Sequence, residues 1–170
     1  MKLPILKFPH PLLRESVPPV ITIDAAIIAH LNTMLETMYA QNGVGLAATQ
    51  VGLPWQLVVI DVSENPDDPS PLLLINPSIV SAEQDILSEE GCLSFPGIYA
   101  KVPRKTRVTV EYLDTAGETK QITADGLLSI CLQHEIDHLK GITFFDHLSP
   151  LKKSFVLKKL KKQKAIEQAG

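Results

Sequence analysis

A chain of 170 residues with 45% hydrophobic content is long enough to bury a real core, and residues 1–170 are expected to form one globular domain. A net charge of −3 and a pI near 5.9 exclude a wholly basic nucleic-acid coat, although the charge is unevenly spread. Two cysteines are too few for a disulfide scaffold, the start Met1-Lys2-Leu3-Pro4 lacks the apolar core of a secretory signal, and no run approaches about 18 uninterrupted apolar residues, so a cytoplasmic protein with no membrane span is expected.

After a lead punctuated by Pro4, Pro9, Pro11, Pro18 and Pro19, Asp24 can cap a helix in which Ile27, Ile28, Leu31, Met34, Leu35 and Met38 recur at helical spacing; Gly43 is the expected stop. The methionines read as core packing. The run from Gly43 to Gln50 is too small and glycine-rich for an ordinary helix or strand, and its glycines suggest close backbone approach. It lies between a helix and a strand and has no Gly-Lys-Ser/Thr, which argues against a phosphate cradle.

Residues 56–61 read as a strand. A polar loop from Ser63 to Pro71 follows, then strand candidates at 72–77 and 79–80. Residues 108–112 and 119–123 flank the turn Asp114-Thr115-Ala116-Gly117 as a hairpin. Asp125 can cap a second helix with a largely buried stretch from Leu127 to Leu132, and Gly141 supplies its stop. Ser149-Pro150 starts a last helix over 148–170, with Leu151, Phe155, Val156, Leu160 and Ile166 as a partial apolar stripe and lysines at 152, 153, 158, 159, 161, 162 and 164. Those lysines are either a solvated face or a contact for RNA or the ribosome. Strands grouped between an early and a late helix predict an α+β fold, with antiparallel or mixed sheets packed around the second helix.

That helix carries Gln133-His134-Glu135-Ile136-Asp137-His138. His134 and His138, four apart, share a helix face and so form half of a metal site. Glu135 lies about 100° round from His134, beside the ion without ligating it, where a general base belongs. A third ligand must come from elsewhere. Phe144 stands where the metzincin pattern needs a histidine, and Glu167 lies in the lysine-rich tail. Cys131 shares the face of His134 but is ~10 Å along the axis from His138, too far for a ~2.3 Å bond. Cys92 remains, in Glu89-Glu90-Gly91-Cys92-Leu93-Ser94; its alternative is a buried structural thiol.

Three segments, Gly43 to Gln50, Glu90 to Ser94 and Gln133 to His138, together resemble the peptide deformylase family, whose motifs they match in order. The resemblance implies that Cys92, His134 and His138 hold one Fe2+ ion, replaceable by Zn2+, Ni2+ or Co2+ in purified protein, and that Glu135 is the acid/base. It implies that Gln50 and the backbone N–H of Leu93 face the developing oxyanion. It places Val44, Gly45 and Leu46 beside the substrate backbone, and Leu127, Ile130, Cys131 and the His134 ring around the methionine side chain. Glu90 and Asp137 are candidates for orienting an imidazole or pairing with Arg104, or else surface carboxylates. The implied substrates are N-formyl-methionyl nascent peptides, the implied products formate and a free amino terminus, and a monomer is expected. A metallopeptidase cutting ordinary peptide bonds is the alternative. A metal-stabilised RNA-binding module is a third reading, and it leaves Glu135 without purpose. Departures lie in the run Phe95 to Tyr99, where some family members carry an arginine near Tyr99, and at Ser88, a small hydroxyl near the pocket rim.

Overall fold

The structure, a computed structural model, describes residues 2–169. Helix α1 spans Ala25–Ala40, followed by strands β1 (Gly45–Ala47), β2 (Leu57–Ile60), β3 (Leu72–Cys92), β4 (Phe95–Leu113) and β5 (Thr119–Asp125), then α2 (Gly126–Leu139) and α3 (Pro150–Ala169). The five strands form one sheet in sequence order, every neighbouring pair antiparallel. The fold is therefore α+β as expected, with an antiparallel rather than a mixed sheet. Among the described residues no helix is long and apolar enough to cross a membrane.

Strand β2 shows how the layers are built. Its four residues are all fully buried, because Val58 and Ile60 point to one face and Leu57 and Val59 to the other. The first pair packs with Leu74, Val108 and Val110 against Leu132, Ile136 and Leu139 of α2. The second packs with Ile75 and Leu46 against Leu31, Met34 and Met38 of α1, so the methionines are core. A third cluster, built on Phe95, Ile98, Phe144 and Phe145, receives Val156 of α3.

Helix ends follow their capping chemistry. Asp24 accepts from the Ile27 N–H as expected. Helix α1 stops at Ala40 rather than Gly43, because Asn42 takes the left-handed position (φ 55°) while the Gly43 N–H reaches back to Met38. Helix α2 ends at Leu139, and Gly141 (φ 76°) stops it as expected: its N–H bonds His138 while that of Ile142 bonds Asp137. Asp125 sits at the start of α2 but its side chain accepts from no helix N–H; its carboxylate accepts from Arg107 instead.

Three strand expectations change. Residues 45–47 form β1, and Ala48–Val51 a short 3-10 turn, where no regular element was expected. The two candidates at 72–77 and 79–80 are one strand, β3, bent by register shifts between Ile75 and Ser78 and between Ile79 and Ser81. Strand β4 begins thirteen residues before the expected 108, at Phe95. On α3, Val156 and Leu160 pack inward, whereas Leu151, Phe155 and Ile166 are exposed and complete no stripe.

Candidate metal centre and its cavity

Helix α2 presents His134 and His138 one turn apart, with ring centroids 5.0 Å from each other. Cys92 reaches them from the end of β3, where the chain turns through Leu93-Ser94 into β4. One ligand atom from each of the three lies within 4.8 Å of the others, and the Cys92 Sγ is 3.5 Å from His138 Nε2. Cys131 lines the adjoining cavity and, among the described residues, joins no such cluster.

Glu90 and Asp137 divide the supporting work that the sequence leaves open. Glu90 Oε1 lies 3.0 Å from His134 Nδ1 and the carboxylate takes two bonds from Arg104, at 2.7 and 2.8 Å. An ionised carboxylate only accepts, so the imidazole, when neutral, carries its proton at Nδ1 and turns the Nε2 lone pair to the cluster. Asp137 instead accepts from Arg104 at 2.8 Å and, on its outer side, lies 2.8 Å from His147 Nε2. Arg104 is 5% exposed, so this is a buried bidentate pair, and the third guanidinium nitrogen also donates, to Asp137. Gln133 fastens α2 to β4: it accepts from the Lys105 N–H and donates to the Lys105 carbonyl, both at 2.8 Å.

Gln50 is held so that its amide nitrogen faces the cluster. Its Oε1 accepts from the Ala47 N–H at 2.9 Å, leaving Nε2 to donate to Ser94 Oγ at 3.2 Å, with Cys92 Sγ at 3.6 Å. Three glycines make room for this assembly. A Cβ on Gly91 would stand 2.7 Å from the Tyr99 ring, one on Gly43 2.8 Å from Leu93 Cδ1, and one on Gly45 2.6 Å from Glu135 Oε2. The glycines flanking Val44 therefore clear space for the protein's own Leu93 and Glu135.

The centre opens onto a cavity of about 500 Å³. Gln50, Cys92, Leu93, His134 and Glu135 line it, together with Val44, Gly45, Leu127, Ile130 and Cys131. Leu46 is absent from the lining, because its side chain is fully buried against α1. Ser88 and Tyr99 stand on the lining as their flagged positions suggested. Sequence reasoning missed Lys7, Asn42, Pro96 and Gly97 on the cavity wall, Ser94 beside Gln50, and His147. Ser94 lay inside a recognised motif and carried a signal; the others are brought in by tertiary folding alone.

The electrostatics separate the ionisable groups. Burial pushes Glu135 up to about 7, with Glu90 and Asp137 adding to the rise against His134 and Arg104. Among the described residues, its Oε1 is buried without a hydrogen-bond partner, so it has capacity for a proton or a water. Burial alone would lower His134, but the charges of Glu135 and Cys92 and its bonds to Cys92 and Glu90 outweigh that and hold it well above the ordinary value. His138 is pushed well below it by burial and by the charges of His134 and Arg104. Burial would raise Glu90, yet the bonds and charges of Arg104 and His134 hold it below the usual carboxylate range. Burial pushes the Cys131 thiol up to about 12, which suits an apolar wall and not a thiolate ligand. One sulfur and two imidazole nitrogens converging beside a cavity fit a divalent transition metal with a position left for water.

Residues 2–154 match the family model described as polypeptide deformylase. A peptide deformylase of Pseudoalteromonas translucida is 50% identical over 95% of this chain and 95% of its own length, and one of Rhizobium meliloti is 48% identical over 94% and 92%. The crystal structure of a peptide deformylase from Legionella pneumophila superposes with a TM-score of 0.93 at 43% identity, covering 100% of this chain and 99% of the other. That of the Ehrlichia chaffeensis peptide deformylase in complex with actinonin gives 0.89 at 39% identity over 95% and 96%.

Proposed function

Because the chain belongs to the polypeptide deformylase family, and so is an enzyme that removes the N-formyl group from newly made polypeptides, we propose how its own residues carry out that hydrolysis. Cys92, His134 and His138 hold the metal. Fe2+ is the ion proposed for the cell, with Zn2+, Ni2+ or Co2+ able to occupy the same donor set in purified protein. When bound, the ion supplies Lewis acidity and makes water acidic enough to lose a proton near neutral pH.

Glu135 accepts the proton of the attacking water on its unpartnered Oε1 and returns it to the departing amine as the tetrahedral species collapses. An acid pushed up to about 7 gives and takes a proton with little penalty at neutral pH, which suits both halves of that role. The Gln50 amide and the Leu93 N–H donate to the oxyanion that forms on the formyl oxygen. Arg104 and Glu90 fix the His134 ring. Strand β1 is the edge of the sheet, so its unpaired side at Gly45, next to Val44 on the cavity wall, offers backbone groups to an extended peptide, and Leu127, Ile130 and Cys131 receive the methionine side chain.

The observation carrying this reading is a buried glutamate oxygen without a partner, beside three converging ligand atoms. Anaerobically prepared protein should contain about one metal ion per chain and release formate from formyl-Met-Ala-Ser, while leaving the unformylated peptide intact. Cleavage of internal bonds in the unformylated peptide would establish the metallopeptidase reading instead.

A cytoplasmic monomer is the proposed working form, acting at the ribosome through α3. In support, that helix exposes Lys158, Lys161, Lys162 and Lys164 together with Phe155. Reversing those four lysines to Glu should abolish co-sedimentation with ribosomes and spare turnover of short peptides; undiminished co-sedimentation would refute the contact.

A further inference from the structure

We propose that Lys159 and Gln163 of α3 are positioning residues for the peptide-binding wall of the cavity, holding the Pro96–Gly97 segment through its two carbonyl oxygens. The proposal rests on the deformylase reading and extends it to what the end of the chain does for substrate affinity. Lys159 Nζ donates to the Gly97 carbonyl at 2.9 Å and Gln163 Nε2 to the Pro96 carbonyl at 3.0 Å. Residues four apart share a helix face, so one face of α3 captures two consecutive carbonyls.

The segment they hold has little else to define it. Phe95 pairs with Cys92 and Tyr99 with Gly91, so the register shift leaves Pro96, Gly97 and Ile98 without ladder partners on β3. Gly97 adopts φ 72°, a conformation with no side chain to lock it. Phe95 and Ile98 on either side are fully or almost fully buried in the aromatic cluster that also takes Val156, which seats α3 directly over this stretch. Pro96 and Gly97 themselves are exposed and line the cavity beside Leu93 and Tyr99. Gln163 packs so closely that its Nε2 lies 3.1 Å from where a Gly97 Cβ would be. One side of the segment thus faces the peptide and the other faces α3.

The test uses full-length, metal-loaded protein with Lys159→Met, Gln163→Leu and the double substitution, assayed on formyl-Met-Ala-Ser and a formylated pentapeptide. The double variant should raise KM about three- to tenfold, the size of one or two net hydrogen bonds, with kcat within about twofold. Calorimetric affinity for the deformylated product peptide should weaken by the same factor. Lys159→Arg keeps a donor and should restore KM toward the unsubstituted value, and Ser154→Ala, elsewhere on α3, should change nothing. A melting temperature lowered in the double variant while KM and product affinity stay put would make the two side chains mere fasteners of the helix and overturn the proposal. Absence of formate release by the unsubstituted protein is a separate result: it would remove the deformylase reading itself and this proposal with it.

Discussion

Replacing Gly45 with Ala places a methyl group 2.6 Å from Glu135 Oε2 and 3.1 Å from Cδ and Cγ. Ordinary contact begins near 3.4 Å, so the carboxylate has to retreat by about 0.8 Å. The backbone of β1 cannot yield instead, because Gly45 is paired with Ile60 and β2 is buried on both faces. Moving the end of a flexible side chain costs the fold little, about 0.5–1.5 kcal/mol for an off-rotamer χ angle, or a few degrees of melting temperature at this size. Catalysis is more sensitive, since a displacement near 1 Å of a reacting group costs about 100-fold. Gly45→Ala is therefore expected to lower kcat for formyl-Met-Ala-Ser about 100-fold, with KM within threefold, one metal per chain retained and the melt nearly unchanged. Steady-state kinetics, metal analysis and a thermal scan on one preparation decide it. A raised KM with kcat intact would refute the reasoning, because it would mean the glycine clears space for the peptide and not for Glu135.

Glu135→Gln keeps the shape and removes the base, so metal content should be unchanged while kcat/KM falls by about two to four orders of magnitude; loss of the metal would contradict the assignment. Arg104→Met leaves Glu90 and Asp137 facing each other without their shared cation, at a cost of about 3–5 kcal/mol in urea unfolding, and the freed His134 ring should release metal faster to a chelator. Tyr39 donates to Asp61, and burial, with that carboxylate beside it, pushes the phenol from 10.0 up to about 12. A raised pKa means stability that is fully present below pH 10 and lost as pH rises toward 12; Tyr39→Phe should be the less stable protein at neutral pH but should lose less between pH 10 and 12. Asp24→Ala removes the cap on Ile27 and should cost about 1 kcal/mol without altering kinetics.

The parts of the fold legible in the sequence are those whose signal is local. Helical spacing around Met34 and Met38 identified α1, and the His-x-x-x-His face identified the metal helix, since both depend only on 3.6-residue periodicity. The stretch of β4 before residue 108 gave no such signal. It contains Pro96, Pro103, Lys101, Arg104, Lys105 and Arg107, a composition that reads as loop. It is a strand because β3 runs opposite with acids in register, Glu83 against Arg107, Asp85 against Lys105 and Glu89 against Lys101. The information exists only when both strands are present.

The same distinction explains the site. Residue type and spacing were enough to choose Cys92 over Cys131, because axial rise along a helix is fixed before any tertiary structure forms. They could not divide labour between Glu90 and Asp137, which come from different elements and meet through Arg104 on a third. Nor could they say what each glycine avoids. Glycine by itself announces only that a side chain is intolerable; Gly43, Gly45 and Gly91 are intolerant because Leu93, Glu135 and Tyr99 respectively occupy the space. Those three neighbours are the proposed oxyanion donor, the proposed acid/base and a residue of the cavity wall, so the glycines belong to the proposed catalytic geometry as much as the residues that carry functional groups. A substitution at any of them should act on turnover or peptide affinity before it acts on stability.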